Sequence, residues 1–135
     1  MRSSSNLQDV PKKLKLLIVD DERSINETLS IIFKKQGYEV LSAHDGAEAI
    51  RLLFQEQPDL ALLDVSLPDM SGIDIAIRIR QELPTCKFVL FSGNQGTVEA
   101  LDGAKSRGYD FEVLAKPVRV PELIAAFKNL SMWSL

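Results

Sequence analysis

The stretch LLIVDDERS, residues 16–24, places four apolar residues directly before three acidic ones. Nearly continuous apolar runs of this length are typical of strands that are buried on both faces of a parallel sheet. Asp20, Asp21 and Glu22 repel one another at such close spacing, so their position at the end of a buried strand requires a specific reason.

Strand-like and helix-like segments alternate through the rest of the chain. Apolar runs predict strands over residues 14–19, 38–42, 60–63, 87–91 and 111–114. Apolar residues at helical spacing predict the helices between them, with Gly37 ending the first, Asp45 capping the second and Pro121 in the first turn of the last. In the second helix, Leu53 and Phe54 are predicted to face inward. Five such units imply an α/β fold, with helices on both faces of a parallel sheet.

The pattern of the third helix also fits a strand, because isoleucines alternate with other residues over 73–79. A helix is favoured because the segment lies between two predicted strands. In that helix Ile73 and Ile77 would face inward. Ile75 and Ile79 would lie one turn apart on the opposite face, as a candidate exposed patch for a partner.

Composition narrows the class of protein. A chain of 135 residues with a net charge of −3 is long enough for one domain with a core and has no excess of positive charge for direct nucleic-acid binding. The single cysteine, Cys86, excludes an intramolecular disulfide and favours a reducing compartment. Because no apolar stretch approaches the length of a membrane span, we expect a cytoplasmic protein without membrane contact. The predicted organisation is a flexible tail at 1–13, a domain at 14–130 and a C-terminal tail at 131–135.

Polar residues follow four of the five predicted strands. Asp20 and Asp21 follow the first strand, Asp64 the third, Ser92 the fourth and Lys116 the fifth. In a parallel sheet the carboxyl ends of the strands form the edge at which ligands bind. We therefore expect these side chains to share one crevice.

The grouped acids favour a metal site. Two like unit charges about 4 Å apart repel by roughly 4 kcal/mol at an effective dielectric constant near 20. A bound Mg²⁺, which prefers oxygen ligands, makes the grouping of the carboxylates favourable. In the alternative, Asp21 and Glu22 merely favour the N-terminus of the next helix, which leaves Asp64 and Lys116 unexplained. A carboxylate can also act as a nucleophile toward phosphorus. Asp64 is therefore a candidate phosphoacceptor, with Mg²⁺, Lys116 and the Ser92 hydroxyl to contact the phosphoryl oxygens.

Taken together, the motifs resemble the receiver domain of two-component response regulators. The segments LLIVDDE, GYEVLSAHDGAEAI, PDLALLDVSLPDMSG, FSGN and LAKP follow the family's order and approximate spacing over residues 14–130. Pro68 lies four residues after Asp64 and Gly72 eight, as in that family. The resemblance implies a flavodoxin-like (βα)5 three-layer sandwich with a parallel five-stranded sheet of order 2-1-3-4-5.

The resemblance also implies a role for each acidic residue. Asp64 would accept a phosphoryl group from a phosphohistidine on a sensor histidine kinase or a histidine phosphotransfer protein. Asp21 would ligate Mg²⁺ directly, and Asp20 would do so directly or through water. Asp64 and the backbone carbonyl of Ser66 would complete the protein ligands.

By the same resemblance, Lys116 would contact the phosphoryl group, its bond to Pro117 would be cis, and the Ser92 hydroxyl would shift to a phosphoryl oxygen. The family often has Tyr or Phe three residues before the lysine, where this chain has Val113. Phe111 lies two residues earlier, at a different depth along the strand. These departures leave the phosphorylation chemistry intact but predict that the usual aromatic switch is altered.

The favoured function is therefore a phospho-accepting module whose output is binding to a partner protein through the face of the fourth helix, fifth strand and fifth helix. It would catalyse only its own phosphorylation and dephosphorylation. One alternative is a phosphorylation-independent receiver-like scaffold, which has no need of mutually repelling acids. Another is a Mg²⁺-dependent phosphohydrolase, which commonly needs a second carboxylate two residues after the nucleophile, where Ser66 stands.

Overall fold

The structure, a computed structural model, describes residues 13–93 and 97–133, so most of the predicted N-terminal tail lies outside the described residues. Within them, strands and helices alternate. In chain order they are β1 (Lys15–Val19), α1 (Arg23–Lys35), β2 (Glu39–Ala43), α2 (Gly46–Glu56), β3 (Leu60–Asp64), α3 (Gly72–Glu82), β4 (Lys87–Ser92), α4 (Thr97–Ser106), β5 (Val113–Ala115) and α5 (Val120–Trp133). All strand pairs are parallel, in the order β2-β1-β3-β4-β5. The predicted α/β fold and strand order are confirmed.

The sheet separates two apolar layers. Leu16 and Ile18 face one layer, where they pack with Phe33 of α1 and Phe127 of α5. Leu17 and Val19 face the other layer, which α2, α3 and α4 cover. The alternation follows from the two-residue period of a strand, and a strand covered on both sides needs apolar residues at every position. The continuous apolar run before Asp20 is thus explained by its central place in the sheet.

The segment with alternating isoleucines is a helix, as predicted, but the prediction of an exposed patch on it is wrong. Ile75 is 0% exposed and Ile79 is 1% exposed. The helix α3 lies between α2 and α4 and also contacts β3 and β4, so neighbours cover it on three sides. A single helical stripe therefore cannot describe its buried surface.

The inward orientation predicted for Phe54 is also wrong, since this side chain is 38% exposed. The Arg78 guanidinium of α3 lies 4.9 Å from the centre of the Phe54 ring. A cation over an aromatic face is a favourable contact at the surface. The ring therefore lies under a neighbouring helix's arginine, at the edge of the apolar layer, whereas Leu53 is buried as predicted.

The helix ends predicted at Gly37 and Asp45 are confirmed. The Asp45 side chain accepts a hydrogen bond from the Glu48 backbone N–H at 2.8 Å and caps α2. Gly37 has a φ of +98° just after α1, a conformation that disfavours side-chain-bearing residues.

The Lys116–Pro117 peptide bond is cis, as the resemblance implied. The last helix ends at Trp133, beyond the predicted domain end at residue 130. None of the helices in the described part of the chain is long and apolar enough to cross a membrane.

Candidate functional site

The acidic residues predicted from the strand ends lie together at one edge of the sheet. Val19 of β1 pairs with Leu63 of β3, so the residues that follow them, Asp20 and Asp64, are adjacent. Each of Asp20, Asp21 and Asp64 offers a carboxylate oxygen within 4.8 Å of the other two. Asp20 and Asp64 are buried, whereas Asp21 is exposed to solvent.

Lys116 reaches this cluster from the far side of β4. Its Nζ donates to Asp64 Oδ2 at 3.0 Å and to Asp20 Oδ2 at 3.4 Å. The same ammonium lies 4.6 Å from the centre of the Phe91 ring, which fixes its path over the end of β4. One cation thus stabilises the two buried carboxylates, whereas Asp21 is exposed to solvent.

Burial and charge shift the pKa values of Asp64 and Lys116. Burial raises the pKa of the Asp64 carboxyl, and the hydrogen bonds from Lys116 and from the Ser66 backbone N–H offset only part of that effect. Burial alone would lower the pKa of Lys116, but the hydrogen bond and charge of Asp64, with a smaller effect of Asp20, raise it overall. The ammonium is therefore firmly held in its charged form beside Asp64.

Backbone contacts orient the Asp64 side chain and place Ser66 and Ser92. The Ser66 N–H donates to Asp64 Oδ1 at 3.0 Å, so each carboxylate oxygen of Asp64 has its own donor. Ser92 is buried at the end of β4, where its carbonyl accepts from the Lys116 N–H at 2.9 Å. Backbone hydrogen bonds therefore hold Ser66 beside Asp64 and Ser92 beside Lys116.

The helix α3 begins with Gly72, at a point where there is no room for a side chain. A Cβ atom at this position would lie 2.1 Å from the carbonyl oxygen of Asp64, a distance that no real side chain adopts. The Gly72 N–H also donates to the Val65 carbonyl at 2.8 Å. The start of α3 is therefore packed directly against the backbone of the candidate phosphoacceptor.

Sequence reasoning did not identify two residues that support this site. The buried Asn26 amide of α1 donates to the carbonyls of Asp20 and Ala43 at 3.1 and 3.0 Å, which joins the ends of β1 and β2. Its signal was a polar residue on the buried stripe of α1, beside Leu29 and Phe33. Asp69, in the loop after β3, accepts from two backbone amides of α2, a contact between segments that no local pattern indicates.

The aromatic residue nearest to the lysine in sequence lies away from the site. Phe111 packs against Phe88, with ring centres 5.6 Å apart, and lies under the Arg80 guanidinium. Phe88 precedes Ser92 by four residues on β4, which at roughly 3.3 Å per residue is about 13 Å. Phe111 is therefore near the opposite end of β4, and Val113 stands nearer to the site, paired with Leu90. Phe111 is thus farther from the site than Val113, as predicted, but it precedes β5, which begins at Val113 and not at residue 111.

The donor set fits a hard divalent cation. Its side-chain donors are all carboxylate oxygens, which suit Mg²⁺ or Ca²⁺ and not the softer metals that select sulfur or imidazole. With every group ionised, three carboxylates and the Lys116 ammonium leave two negative charges, which a divalent cation would balance. Asp20, Asp21 and Asp64 are thus the residues that could hold such an ion.

Comparison with known proteins agrees with this arrangement. Residues 16–128 match the response regulator receiver domain family. A CheY-like receiver domain protein from Methanospirillum hungatei superposes with a TM-score of 0.79 at 28% identity, covering 90% of this chain and 96% of that one. The response regulator TrrA from Thermotoga maritima, solved in complex with Mg(2+)-BeF, has a TM-score of 0.74 at 30% identity, with coverage of 88% and 99%.

A third similar structure carries a modified acid. It is a response regulator from Burkholderia pseudomallei with a phosphorylated aspartic acid, a calcium ion and citrate, with a TM-score of 0.73 at 27% identity, covering 90% of this chain and 70% of that one. Receiver domains bind Mg²⁺ at an acidic pocket, interact with histidine kinases and downstream effectors, and are in general non-enzymatic signalling domains. The matched family covers almost the whole described fold together with its acidic pocket, and the chain belongs to the response regulator receiver domains of two-component systems.

Proposed function

We propose that this chain is a phospho-accepting switch in which Asp64 receives the phosphoryl group. One observation carries the proposal: the Lys116 ammonium lies 3.0 Å from Asp64 and 3.4 Å from Asp20, so a single cation links the candidate acceptor to a candidate metal ligand. A buried carboxylate held in this way is oriented before any substrate arrives, which favours an in-line attack.

The transfer itself exchanges one bond for another. A carboxylate oxygen of Asp64 attacks the phosphorus of a phosphohistidine on a sensor histidine kinase or histidine phosphotransfer protein. The phosphorus–nitrogen bond breaks, and its electron pair stays on the histidine ring. The product is an acyl phosphate on Asp64.

Several groups would stabilise the added charge. Asp20, Asp21, Asp64 and the Ser66 carbonyl would hold Mg²⁺, which supplies positive charge to the phosphoryl oxygens. Lys116 can exchange its bond with the Asp64 carboxylate for a bond to a phosphoryl oxygen, and the Ser92 hydroxyl can donate to another.

The output of the switch is a change in affinity for a downstream protein. Contacts of the phosphoryl group with Ser92 and Lys116 would favour a second arrangement of the face formed by α4, β5 and α5. Moving an equilibrium from 1:99 to 99:1 takes roughly 5.5 kcal/mol, and hydrogen bonds to charged groups contribute about 1.5–3 kcal/mol each. Two such bonds are of the required order. We expect this signalling to take place in the cytoplasm.

Intact-mass spectrometry after incubation with acetyl phosphate tests the proposal. The expected result is the gain of one phosphoryl group that requires Mg²⁺ and is abolished in Asp64→Asn. Asp74→Asn is the matched control, because Asp74 is an exposed residue of the neighbouring helix α3. No gain in the folded protein would favour a receiver-like scaffold, and rapid multiple-turnover release of phosphate would favour a phosphohydrolase.

A further inference from the structure

The loop between β3 and α3 is attached to the start of α2. Asp69 in this loop accepts hydrogen bonds from the backbone N–H groups of Gly46 at 2.7 Å and Ala47 at 2.9 Å. The next residue, Met70, packs so closely on Gly46 that an added Cβ there would lie 2.3 Å from its Cγ atom. Two hydrogen bonds and one close apolar contact therefore hold the tip of the loop.

The base of the same loop forms part of the candidate site. Ser66 pairs with Ser71 across the loop, and the Gly72 N–H donates to the Val65 carbonyl at 2.8 Å. The Ser66 N–H in turn donates to the Asp64 carboxylate at 3.0 Å. The loop is thus held at its base beside Asp64 and at its tip on α2.

The attachment joins two consecutive connections of the sheet. The helix α2 leads from β2 to β3, packs on β1 and β2, and contacts α3. The position of the loop that carries Ser66 therefore depends on this neighbouring helix, and Asp69 supplies the polar part of that connection.

We propose that Asp69 is a positioning residue for the cation site: by tying the loop to α2, it keeps the Ser66 backbone and the Asp64 carboxylate in the geometry that binds a divalent cation. The inference rests on the proposed function, because it assigns Asp69 a role in the same site. In this role Asp69 would touch neither the ion nor the phosphoryl group and would act only through the loop. Substitution of a residue that orients metal ligands commonly lowers metal affinity, although the residue is not a ligand itself.

The charge of Asp69 suits this role. The backbone N–H groups of Gly46 and Ala47 lower the pKa of its carboxyl, so the ionised form that accepts both bonds is present at neutral pH. Asp45 caps the same helix by accepting a hydrogen bond from the Glu48 backbone N–H. Asp45→Ala is therefore a matched control that weakens the N-terminus of α2 and leaves the attachment of the loop intact.

The test compares wild type, Asp69→Ala, Asp69→Asn and Asp45→Ala. Isothermal titration calorimetry measures the Mg²⁺ dissociation constant, and NMR hydrogen exchange in metal-free protein measures protection of the Ser66 amide. We expect Asp69→Ala to raise the dissociation constant about tenfold, the lower end of the range for residues that support metal ligands. Asp69→Asn, which keeps one acceptor oxygen and the side-chain volume, should show a smaller rise. The Ser66 amide should exchange faster in the Asp69 variants alone.

Two results would overturn the inference. One is unchanged Ser66 exchange in Asp69→Ala and Asp69→Asn, and the other is an equal effect of Asp45→Ala, which would make Asp69 a simple helix cap. An unchanged Mg²⁺ dissociation constant in Asp69→Ala, with wild type binding Mg²⁺, would likewise overturn the inference and leave the proposed function standing. If the wild-type protein binds no Mg²⁺, the proposed function fails and the cation-site inference fails with it, and faster Ser66 exchange in the Asp69 variants would show only that Asp69 holds the loop. If Asp69→Ala does not fold, Asp69→Asn carries the comparison.

Discussion

The Lys116 ammonium lies 3.0 Å from the Asp64 carboxylate, although the two residues are 52 positions apart in the sequence. The contact passes over the end of β4, because Lys116 follows β5 and Asp64 ends β3. It lowers the pKa of Asp64 against the larger effect of burial, and it orients one of the two carboxylate oxygens. Removing this lysine should therefore change both the ionisation and the reactivity of Asp64.

We expect Lys116→Met to raise the pKa of Asp64 further, because burial then acts without the ammonium. The protonated form of Asp64 stabilises the folded state, since its folded-state pKa lies above the ordinary value of 3.8. That stability is lost as the pH rises through the folded-state pKa. Carbon-13 NMR titration of the metal-free protein measures the shift, with Lys116→Arg as the charge-conserving control. An unchanged Asp64 pKa would contradict the expectation.

The same substitution should slow phosphoryl acceptance from acetyl phosphate by about a hundredfold, as is typical when one preorganised donor to developing charge is removed. The rate is measured at saturating Mg²⁺ by the appearance of the phosphorylated mass. Lys116→Arg should lose less, because the positive charge remains. Equal rates in Lys116→Met and wild type would show that the lysine takes no part in the transfer.

Gly72 should tolerate no side chain. Gly72→Ala places a methyl group 2.1 Å from the Asp64 carbonyl oxygen, so the backbone must move. We expect a loss of about 1–3 kcal/mol in the free energy of unfolding, the usual cost of overpacking. Gly103→Ala on α4 is the control, since nothing lies within 4 Å of an added Cβ and alanine favours a helix by about 1 kcal/mol over glycine. Urea denaturation measures both changes, and equal effects would refute the close-approach argument.

Cys86 should be an unreactive thiol in the folded protein. Burial raises its pKa to about 12 from 9.0, so at mildly alkaline pH the thiolate fraction is about a thousandfold lower than for a free thiol. Labelling by a disulfide reagent should be slow in the native state and fast in urea. The thiol's contribution to stability is full below pH 9.0 and is lost as the pH rises toward 12. Rapid labelling of the native protein would contradict this expectation.

The contact of Asp69 with α2 should weaken when the pH becomes low enough to protonate the Asp69 carboxylate. Its pKa lies below the ordinary value of 3.8, so its contribution to stability is present above that value and is lost as the pH falls through the folded-state pKa. Asp69→Ala should therefore be less stable than wild type at neutral pH and equally stable in strong acid. Urea denaturation at several pH values measures the difference. A difference that persists in strong acid would point to packing and not to the charged cap.

Interactions between residues that are close in the sequence explain why the helices, the strands and the candidate site residues could be predicted. Helix and strand periods, the Asp45 cap and the glycine after α1 depend on neighbouring residues, so they can be read along the chain. The candidate site residues followed from the same reasoning, since the ends of parallel strands meet at one edge. Phe54 and the pair Ile75 and Ile79 were misassigned because their exposure depends on helices from elsewhere in the sequence.

Residue patterns along the chain are enough to predict how strands and helices follow one another, the α/β class and the positions of Asp20, Asp21, Asp64 and Lys116 at strand ends. Which of these side chains touch, which helix faces are covered and how Asp69 ties the loop beside Asp64 to α2 depend on the folded chain. The difference lies in distance along the chain. Periodicity and capping act over a few residues, whereas ion pairs and packing join segments that meet only when the sheet is assembled.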